Sequence, residues 1–318
     1  MALRRGIICL PADSELVSDA DEEVFFLYTN LQHSPAEDSL SDSFRGLGHV
    51  NSRKDTLSIT FELKSPALES DPSVKQSKKK RQGGDKTLEV ELAQDKTALR
   101  SRKGDTGSVL WTASVEFAQA ILQQQHSRLD NSLLDPNALA DAHVLELGAG
   151  TGLLGIVLSP LVRRYALTDI PDLLPLIRKN LALNFNGWPS LKLGVPGSNV
   201  ETEALDWLQI HSTPLPTRAR IFPLTTGPLD LILVVDCVYN PSLLPALVET
   251  IDFLATPGKT AVLVIVELRQ EDVVREFLEL WIMKGGWEIW RVGSGFLGMR
   301  YAVWMGWKEC QTRAGHDE

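Results

Sequence analysis

An α/β fold with a mostly parallel sheet is predicted by two features of the sequence. From residue 107 onward, short apolar runs alternate with longer stretches in which apolar residues recur at helical spacing. This alternation is typical of strands that are joined by crossover helices. The last two apolar runs are separated only by residues 293–299, which leaves room for a hairpin but not for a crossover helix. We therefore expect a parallel sheet that closes with an antiparallel hairpin.

The predicted elements follow in a regular order along this part of the chain. Helices are predicted over 114–128, 153–161, 173–184, 241–254 and 272–284. Strands are predicted over 143–147, 164–168, 229–235, 260–267, 287–292 and 300–307. The region between the third helix and the third strand of this series contains many glycine, proline and serine residues. A further strand there is expected to be irregular.

Residues 1–104 differ in composition from the rest of the chain. They are rich in Ser, Asp, Glu and Lys, and two segments, 56–63 and 87–92, alternate apolar and polar residues as half-buried strands do. The segment at about 65–84 holds a run of Lys and Arg and buries too little apolar surface to offset its chain entropy. We expect a β-rich extension over 1–104 with a mobile basic loop, followed by one domain over 105–318. The basic run is interpreted as a solvated linker, with a nuclear signal or an RNA-contacting tail as alternatives.

Charge and cysteine content exclude several classes of protein. A formal net charge of −9 argues against strong general nucleic-acid binding, which depends on many Lys and Arg contacts to phosphate. The three cysteines, Cys9, Cys237 and Cys310, are widely spaced, and no metal-ligand spacing of Cys or His occurs, so neither a disulfide framework nor a metal site is expected. The first apolar run is too short for a signal peptide, and no apolar span of membrane length occurs. We expect a cytoplasmic monomer without a membrane partner, with the nucleus as an alternative location.

A glycine-rich turn follows the strand predicted at 143–147. Gly148, Gly150 and Gly152 lie where this strand gives way to a helix. Glycine at such a turn permits positive φ and lets a ligand approach the backbone, and the start of the helix offers free N–H donors. Residues 150–155 also satisfy the G-x-G-x-x-G pattern, so the turn alone fits a dinucleotide as well as S-adenosylmethionine.

The surroundings of the turn favour S-adenosylmethionine. Glu146 lies on the apolar strand, where a carboxylate is costly to bury without a partner, and the cationic amino-acid end of this cofactor would be such a partner. Asp169 ends the next strand, about 20 residues after Gly148, where a carboxylate can accept both ribose hydroxyls in either class of site. The closing hairpin differs from the parallel last strand of a dinucleotide-binding domain. A structural turn without a ligand is the remaining alternative.

With these residues in place, the chain resembles the seven-strand S-adenosylmethionine-dependent methyltransferases, which have a Rossmann-like sheet. Within them it is similar to methyltransferase family 16, the lysine methyltransferase-like group. The resemblance covers about residues 87–307 and includes G-x-x-x-W at 107–111, Leu-Asp-Trp at 205–207 and D-x-x-Y at 236–239. The long N-terminal extension and the loop between Trp207 and Leu229 are most similar to the fungal ribosomal lysine methyltransferase 5 type.

The resemblance implies roles for individual residues. The implied cofactor-binding residues are Trp111, Glu146, Gly148, Ala149, Gly150, Asp169, Trp207 and Val235, and the implied catalytic residues are Asp236 and Tyr239. Alternatively, both tryptophans are ordinary core or surface aromatic residues, and Tyr239 packs against apolar neighbours. A helix-capping role for Asp236 is disfavoured, because Asn240 immediately precedes Pro241 and is the better cap.

Two departures from the family pattern stand out. The strand before D-x-x-Y reads Leu-Ile-Leu-Val-Val, where relatives often carry a small Gly-Ala pair, so the methionine side of the pocket would be shaped differently. In the irregular third strand, either Glu201 or Glu203 could be the carboxylate nearer the adenine, and this contact stays unassigned.

The function that the resemblance implies is S-adenosylmethionine-dependent N-methylation of a protein lysine, with a protein of the large ribosomal subunit as the acceptor. The acidic net charge fits capture of a basic acceptor, and Asp236 with Tyr239 would orient the amine after it has lost a proton. The alternatives are a methyltransferase for another protein, a small molecule or RNA, a cofactor-binding module without catalysis, and an NAD enzyme. The N/D-P-P-Y type of motif expected for nucleic-acid or small-molecule acceptors is absent.

Overall fold

A computed structural model describes residues 3–33, 48–65, 84–95, 106–128, 132–223 and 227–310. The described strands are β1 Leu3–Arg5, β2 Ile8–Leu10, β3 Glu15–Val17, β4 Thr56–Leu63, β5 Lys86–Ala93, β6 His143–Leu147, β7 Arg164–Asp169, β8 Val200–Ala204, β9 Leu231–Val235, β10 Ala261–Glu267, β11 Trp287–Arg291 and β12 Tyr301–Lys308. The described α-helices are α1 Ala20–His33, α2 Thr112–Ser127, α3 Pro136–Leu139, α4 Leu153–Leu158, α5 Leu174–Asn184, α6 Trp207–Ser212, α7 Leu215–Ile221, α8 Leu244–Leu254 and α9 Glu271–Met283. The basic run predicted to lie in a mobile loop falls within 66–83, outside the described residues.

The central sheet has the strand order β3-β11-β12-β10-β9-β6-β7-β8. β6 pairs in parallel with β7 and β9, and parallel pairing continues to β8 on one side and β10 on the other. β12 runs antiparallel between β10 and β11. The predicted α/β class, with a Rossmann-like sheet closed by an antiparallel hairpin, is confirmed.

One edge of this sheet comes from the N-terminal extension. β3 pairs antiparallel with β11, with Val17 opposite Ile289, so the described part of the sheet has eight strands where the sequence predicted seven. A strand of three residues is too short to produce a readable alternation of apolar and polar residues. The division of the chain between residues 104 and 105 stays a prediction.

Side chains on the two faces of the sheet enter two separate apolar layers. In β6, Val144 packs with the layer formed by α2, α4 and α5, whereas Leu145 and Leu147 pack with the layer formed by α1, α8 and α9. This alternation follows from the period of two in a strand. Trp281 of α9 packs directly on Gly306 of β12, where a Cβ atom would overlap its ring. Burial of both faces explains why the strands read as continuous apolar runs.

Helices α1, α6 and α7 were not predicted, although two of them begin at recognisable caps. Asp19 accepts from the backbone N–H of Glu22 at the start of α1, and Asp206 accepts from Leu208 and Gln209 at the start of α6. Their side chains satisfy N–H groups that have no partner in the first turn of a helix. α1 is weakly amphipathic and α6 is short. Their caps therefore indicated a helix more clearly than their apolar periodicity did.

The predicted strands at 56–63 and 87–92 form a two-stranded hairpin, β4–β5. The hairpin contacts α2 and α5, and its last residues lead toward the segment that precedes α2. Gln94 accepts from the backbone N–H of Leu110, and Asp95 donates its N–H to Ser108. The hairpin therefore anchors segment 106–111, which lies beside the glycine turn. Within the described ranges, no helix is long and apolar enough to cross a membrane.

Candidate functional site

A cavity of about 530 Å³ opens at the edge of the sheet where the parallel strands end. The carboxyl ends of β6, β7 and β9 meet there, so Gly148, Asp169 and Asp236 come together from distant parts of the sequence. The volume lies within the usual range for small-molecule sites. Every predicted site residue lines this cavity: Trp111, Glu146, Gly148, Ala149, Gly150, Asp169, Trp207, Val235, Asp236 and Tyr239.

The glycine turn adopts the backbone that its sequence predicts. Gly148, Gly150 and Gly152 have φ of +67°, +56° and +80°, a region that other L-residues rarely adopt. A Cβ atom on Gly148 would lie 2.7 Å from Cys237 Sγ and 3.3 Å from the Trp207 ring. A side chain there would therefore fill the narrow space between the turn and the opposite wall of the cavity.

Glu146 is buried at the floor of the cavity and already has a partner within the protein. The hydroxyl of Tyr165 on β7 donates to Glu146 Oε2 at 2.9 Å. Burial raises the pKa of Glu146 to about 8, although the Tyr165 hydrogen bond opposes this rise. The sequence argument named the cationic end of the cofactor as one partner, and the structure adds Tyr165 as a partner within the protein. A cross-strand tyrosine could not be read from the sequence, because it depends on the register of β6 and β7.

Asp169 connects the end of β7 to the glycine turn. Its Oδ2 accepts from the backbone N–H of Gly150 at 2.8 Å, and its Oδ1 accepts from Ile170 at 2.8 Å. The side chain is buried but lines the cavity. The carboxylate therefore ties the end of β7 to the glycine turn.

Two tryptophans, Trp111 and Trp207, contribute to the cavity wall. Trp111 is half-buried, and its indole N–H donates to the backbone oxygen of Thr106 at 2.9 Å. Trp207 begins α6 immediately after Asp206, and both residues line the cavity. Asp206 was not selected from the sequence, although its position before Trp207 was a usable signal.

The two carboxylates considered for the third strand lie outside the cavity lining. Glu201 forms a bidentate pair with Arg164, in which Nη2 donates to Oε1 at 2.5 Å and Nε donates to Oε2 at 3.1 Å. Burial raises the pKa of Glu203, and Glu201 adds to the rise. The carboxylate that follows β8 into the cavity is Asp206, because the strand ends two residues earlier and the chain then turns inward.

Asp236 occupies an unusual backbone position at the end of β9. Its φ is +58°, a left-handed conformation that Asp and Asn tolerate better than most residues. Its carboxylate pairs with Arg269 Nη2 at 2.6 Å, and its side chain is 2% exposed. Burial raises the pKa of Asp236, and Arg269 opposes this rise. No feature of the sequence indicated this partner.

Tyr239 and Asn240 follow Asp236 along the same wall. Both are half-buried and line the cavity. Asn240 accepts from the backbone N–H of Ser242 and caps the short 3₁₀ turn that precedes α8, as the sequence predicted. Cys237 is buried beside Gly148 of the glycine turn. Burial raises the pKa of its thiol well above the usual value, so the thiol stays protonated.

The fold and this site together define a class of protein. A parallel sheet closed by an antiparallel strand, with a glycine turn and carboxylates at its carboxyl edge, is the arrangement of the Rossmann-like methyltransferases. The chain belongs to the lysine methyltransferase family, whose sequence model matches residues 93–281. The resemblance seen in the sequence is confirmed by this match.

Three relatives illustrate the range of the likeness. The chain is 37% identical over 193 residues to the diaminohydroxyphosphoribosylamino-pyrimidine deaminase of Schizosaccharomyces pombe, covering 60% of this chain but only 41% of that protein. It is 25% identical over 319 residues to ribosomal lysine N-methyltransferase 5 of Candida glabrata, covering 82% of this chain and 88% of that protein. It is 28% identical over 194 residues to the protein N-lysine methyltransferase METTL21A of Danio rerio, covering 60% and 72%.

Proposed function

We propose that this protein is an S-adenosylmethionine-dependent protein-lysine N-methyltransferase that acts on a protein of the large ribosomal subunit. The observation that carries this proposal is the cavity at the carboxyl edge of the sheet. Residues suited to the cofactor and residues suited to an acceptor amine share its walls. This arrangement supports transfer between two bound molecules, because the reacting groups can be held side by side.

The cofactor would lie along the glycine turn. Glu146 would face its ammonium group, Asp169 its ribose hydroxyls, and Trp207 with Asp206 its adenine. Gly148, Ala149 and Gly150 would let it approach the backbone, and Trp111 and Val235 would close the sides. Four carboxyl side chains of the described residues line the cavity. The three proposed for the cofactor, Glu146, Asp169 and Asp206, suit a molecule that carries two positive charges and several N–H and O–H donors.

S-adenosylmethionine would supply the methyl group from its sulfonium. The residues of the chain would position the acceptor amine and favour its neutral form. Methyl transfer needs a neutral nucleophile in line with the methyl group. Asp236 would accept an N–H of the amine, and the Tyr239 phenol would orient it from the same wall. Neither residue forms a covalent intermediate in this scheme.

The acceptor is proposed from the relative that spans most of both chains. The match to ribosomal lysine N-methyltransferase 5 reaches into the N-terminal extension, because it covers 82% of this chain. An acidic protein with net charge −9 would attract a lysine-rich ribosomal protein. We further propose a cytoplasmic monomer, with the nucleus as an alternative location.

The test is methyl transfer from labelled S-adenosylmethionine to separated large- and small-subunit proteins. The ribosomes come from a Candida glabrata strain that lacks its own ribosomal lysine N-methyltransferase 5. Asp236→Asn is the main variant, because Asn tolerates the left-handed backbone, and Asp141→Asn in an exposed turn is the matched control. We expect label in one large-subunit protein, methyl-lysine after hydrolysis, and a loss of about 100-fold in rate for Asp236→Asn with cofactor binding retained.

Other outcomes assign a different function. Label confined to RNA or small molecules would reject lysine as the acceptor. Binding of the cofactor by calorimetry without transfer to any fraction would instead support a non-catalytic module. Loss of cofactor binding in Asp236→Asn would place Asp236 among the cofactor contacts.

A further inference from the structure

The carboxylate of Asp236 is held by three donors. Arg269 Nη1 donates to Oδ1 at 3.2 Å, Arg269 Nη2 donates to Oδ2 at 2.6 Å, and the backbone N–H of Glu267 donates to Oδ1 at 3.3 Å. An ionised carboxylate offers about four lone-pair sites. Among the described residues these three donors leave one lone-pair site of Asp236, a residue that lines the cavity.

Arg269 is itself held on several sides. Its Nη2 also donates to Glu267 Oε2 at 2.5 Å, and its guanidinium lies over the Trp111 ring at 4.8 Å from the centroid. Gly48, from the N-terminal extension, packs so closely that a Cβ atom there would overlap Arg269 Nη2. The guanidinium therefore has little freedom to leave Asp236, and its planar fork fixes the direction of the carboxylate.

The charges around Asp236 are balanced in pairs. Arg300 Nη2 donates to Glu267 Oε1 at 2.9 Å, so two guanidinium groups face the carboxylates of Asp236 and Glu267. Removal of Arg269 would leave one cation for two carboxylates. Burial raises the pKa of Asp236 and Arg269 opposes this rise, so loss of Arg269 would raise the pKa further and favour the protonated carboxyl group. Further titratable groups near this network are His49, Glu116, Cys237 and Tyr301.

We propose that Arg269 is a positioning residue for methyl transfer, because it keeps the Asp236 carboxylate ionised and aims its remaining lone pair at the acceptor amine. The proposal rests on the proposed function. Arg269 acts through Asp236 and has no contact with the acceptor in this scheme. A protonated Asp236 would lose its negative charge and become a weaker acceptor, so it would hold an N–H of the lysine side chain less firmly.

The first experiment compares Arg269→Ala, Arg269→Lys and the wild type, with large-subunit ribosomal proteins as the acceptor probe. We expect kcat to fall about 100-fold in Arg269→Ala and less in Arg269→Lys, which keeps the charge but not the fork. The activity profile of Arg269→Ala should move to higher pH, because Asp236 must lose its proton without help from a cation. Arg275→Ala, which removes a pair with Glu271 outside the cavity lining, should retain the wild-type rate.

The second experiment separates positioning from a purely structural role. Guanidinium ion at millimolar concentration should restore part of the rate of Arg269→Ala, because it can occupy the vacated space beside Asp236. It should not restore Asp236→Asn. The double variant Arg269→Ala with Asp236→Asn should be no slower than Asp236→Asn alone, because both changes disrupt the same Arg269–Asp236 ion pair.

The outcomes distinguish this proposal from the proposed function. A wild type that binds the cofactor but transfers no methyl refutes the function and, with it, the role of Arg269. If the wild type is active, the role of Arg269 alone is refuted by two results together. Guanidinium fails to raise the rate of folded Arg269→Ala, and the rate losses of Arg269→Ala and Asp236→Asn multiply in the double variant. If Arg269→Ala does not fold, Arg269→Lys decides, and an unchanged rate and pH profile would refute the proposal.

Discussion

Glu146 shows how a single residue can be recognised from sequence while its state is decided by its neighbours. A carboxylate within an apolar strand was singled out because burial is costly for it. In the structure the phenol of Tyr165 contacts it, and burial still raises its pKa to about 8. A pKa of about 8 favours the protonated form of this carboxyl group at neutral pH in the protein without ligand.

This environment predicts a pH dependence of stability. The pKa of Glu146 rises from 4.5 to about 8 on folding, so its stabilising contribution is complete below pH 4.5 and is lost as the pH rises to about 8. Relative to Glu146→Gln, the free energy of unfolding of the wild type should decrease across this window, by on the order of 1 kcal/mol per pH unit. Urea unfolding of both proteins at a series of pH values measures the difference.

Tyr165→Phe is the control for this measurement. The phenol lowers the pKa of Glu146, so its removal should extend the window to higher pH. A difference between wild type and Glu146→Gln that stays constant from pH 5 to pH 8 would show that Glu146 is already ionised in the folded protein.

At the scale of elements, Asn180 of α5 joins the β4–β5 hairpin to the glycine turn. Its Nδ2 donates to the backbone oxygens of Ala93 at 3.0 Å and Thr151 at 2.8 Å, and its Oδ1 accepts from the N–H of Ala93 at 2.7 Å. The side chain is fully buried. Asn184, one helical turn later, makes the same exchange with Glu91 but is half-buried.

Asn180→Ala should therefore destabilise the protein much more than Asn184→Ala. Asn180→Ala leaves buried backbone groups of two elements without this partner, at a cost of about 2–4 kcal/mol. In Asn184→Ala, water can replace the lost hydrogen bonds, so the cost should be about 1 kcal/mol or less. Chemical denaturation measures both. Equal losses would show that the hairpin is held by apolar contacts and not by this hydrogen-bonded side chain.

At the scale of the whole molecule, the two ends of the described chain are joined by a buried charge. Glu23 of α1 pairs with Arg291 of β11 and accepts from the indole N–H of Trp304 in β12 at 2.8 Å. Arg291 has a second carboxylate partner, Glu15 of β3. The extension is therefore fastened to the sheet edge through β3 and α1 together.

Glu23→Ala should cost about 3 kcal/mol of folding free energy, because it leaves a buried guanidinium and an indole N–H without this partner. Glu22→Ala, at the exposed neighbouring position, is the matched control and should change stability by about 0.5 kcal/mol or less. Thermal and urea unfolding report both values. A small loss for Glu23→Ala would mean that water reaches Arg291 and that the extension contributes little to the fold.

What the sequence by itself determined was local. The glycine turn, the closing hairpin and most strands and helices after residue 107 were predicted because period and glycine content act over a few residues. Most residues of the cavity wall were predicted from the resemblance of short motifs to the family. The carboxyl ends of parallel strands lie at one edge of the sheet, so residues at those ends also had to meet. Their roles in binding and catalysis remain proposals.

The tertiary structure alone decided which charges face each other. Asp236 and Arg269 are paired because β9 and β10 lie side by side, and Glu146 meets Tyr165 because of the register between β6 and β7. Glu23 and Arg291 lie near opposite ends of the chain. Ionisation depends on burial and on partners within a few ångströms, and such distances are fixed only when distant segments have packed.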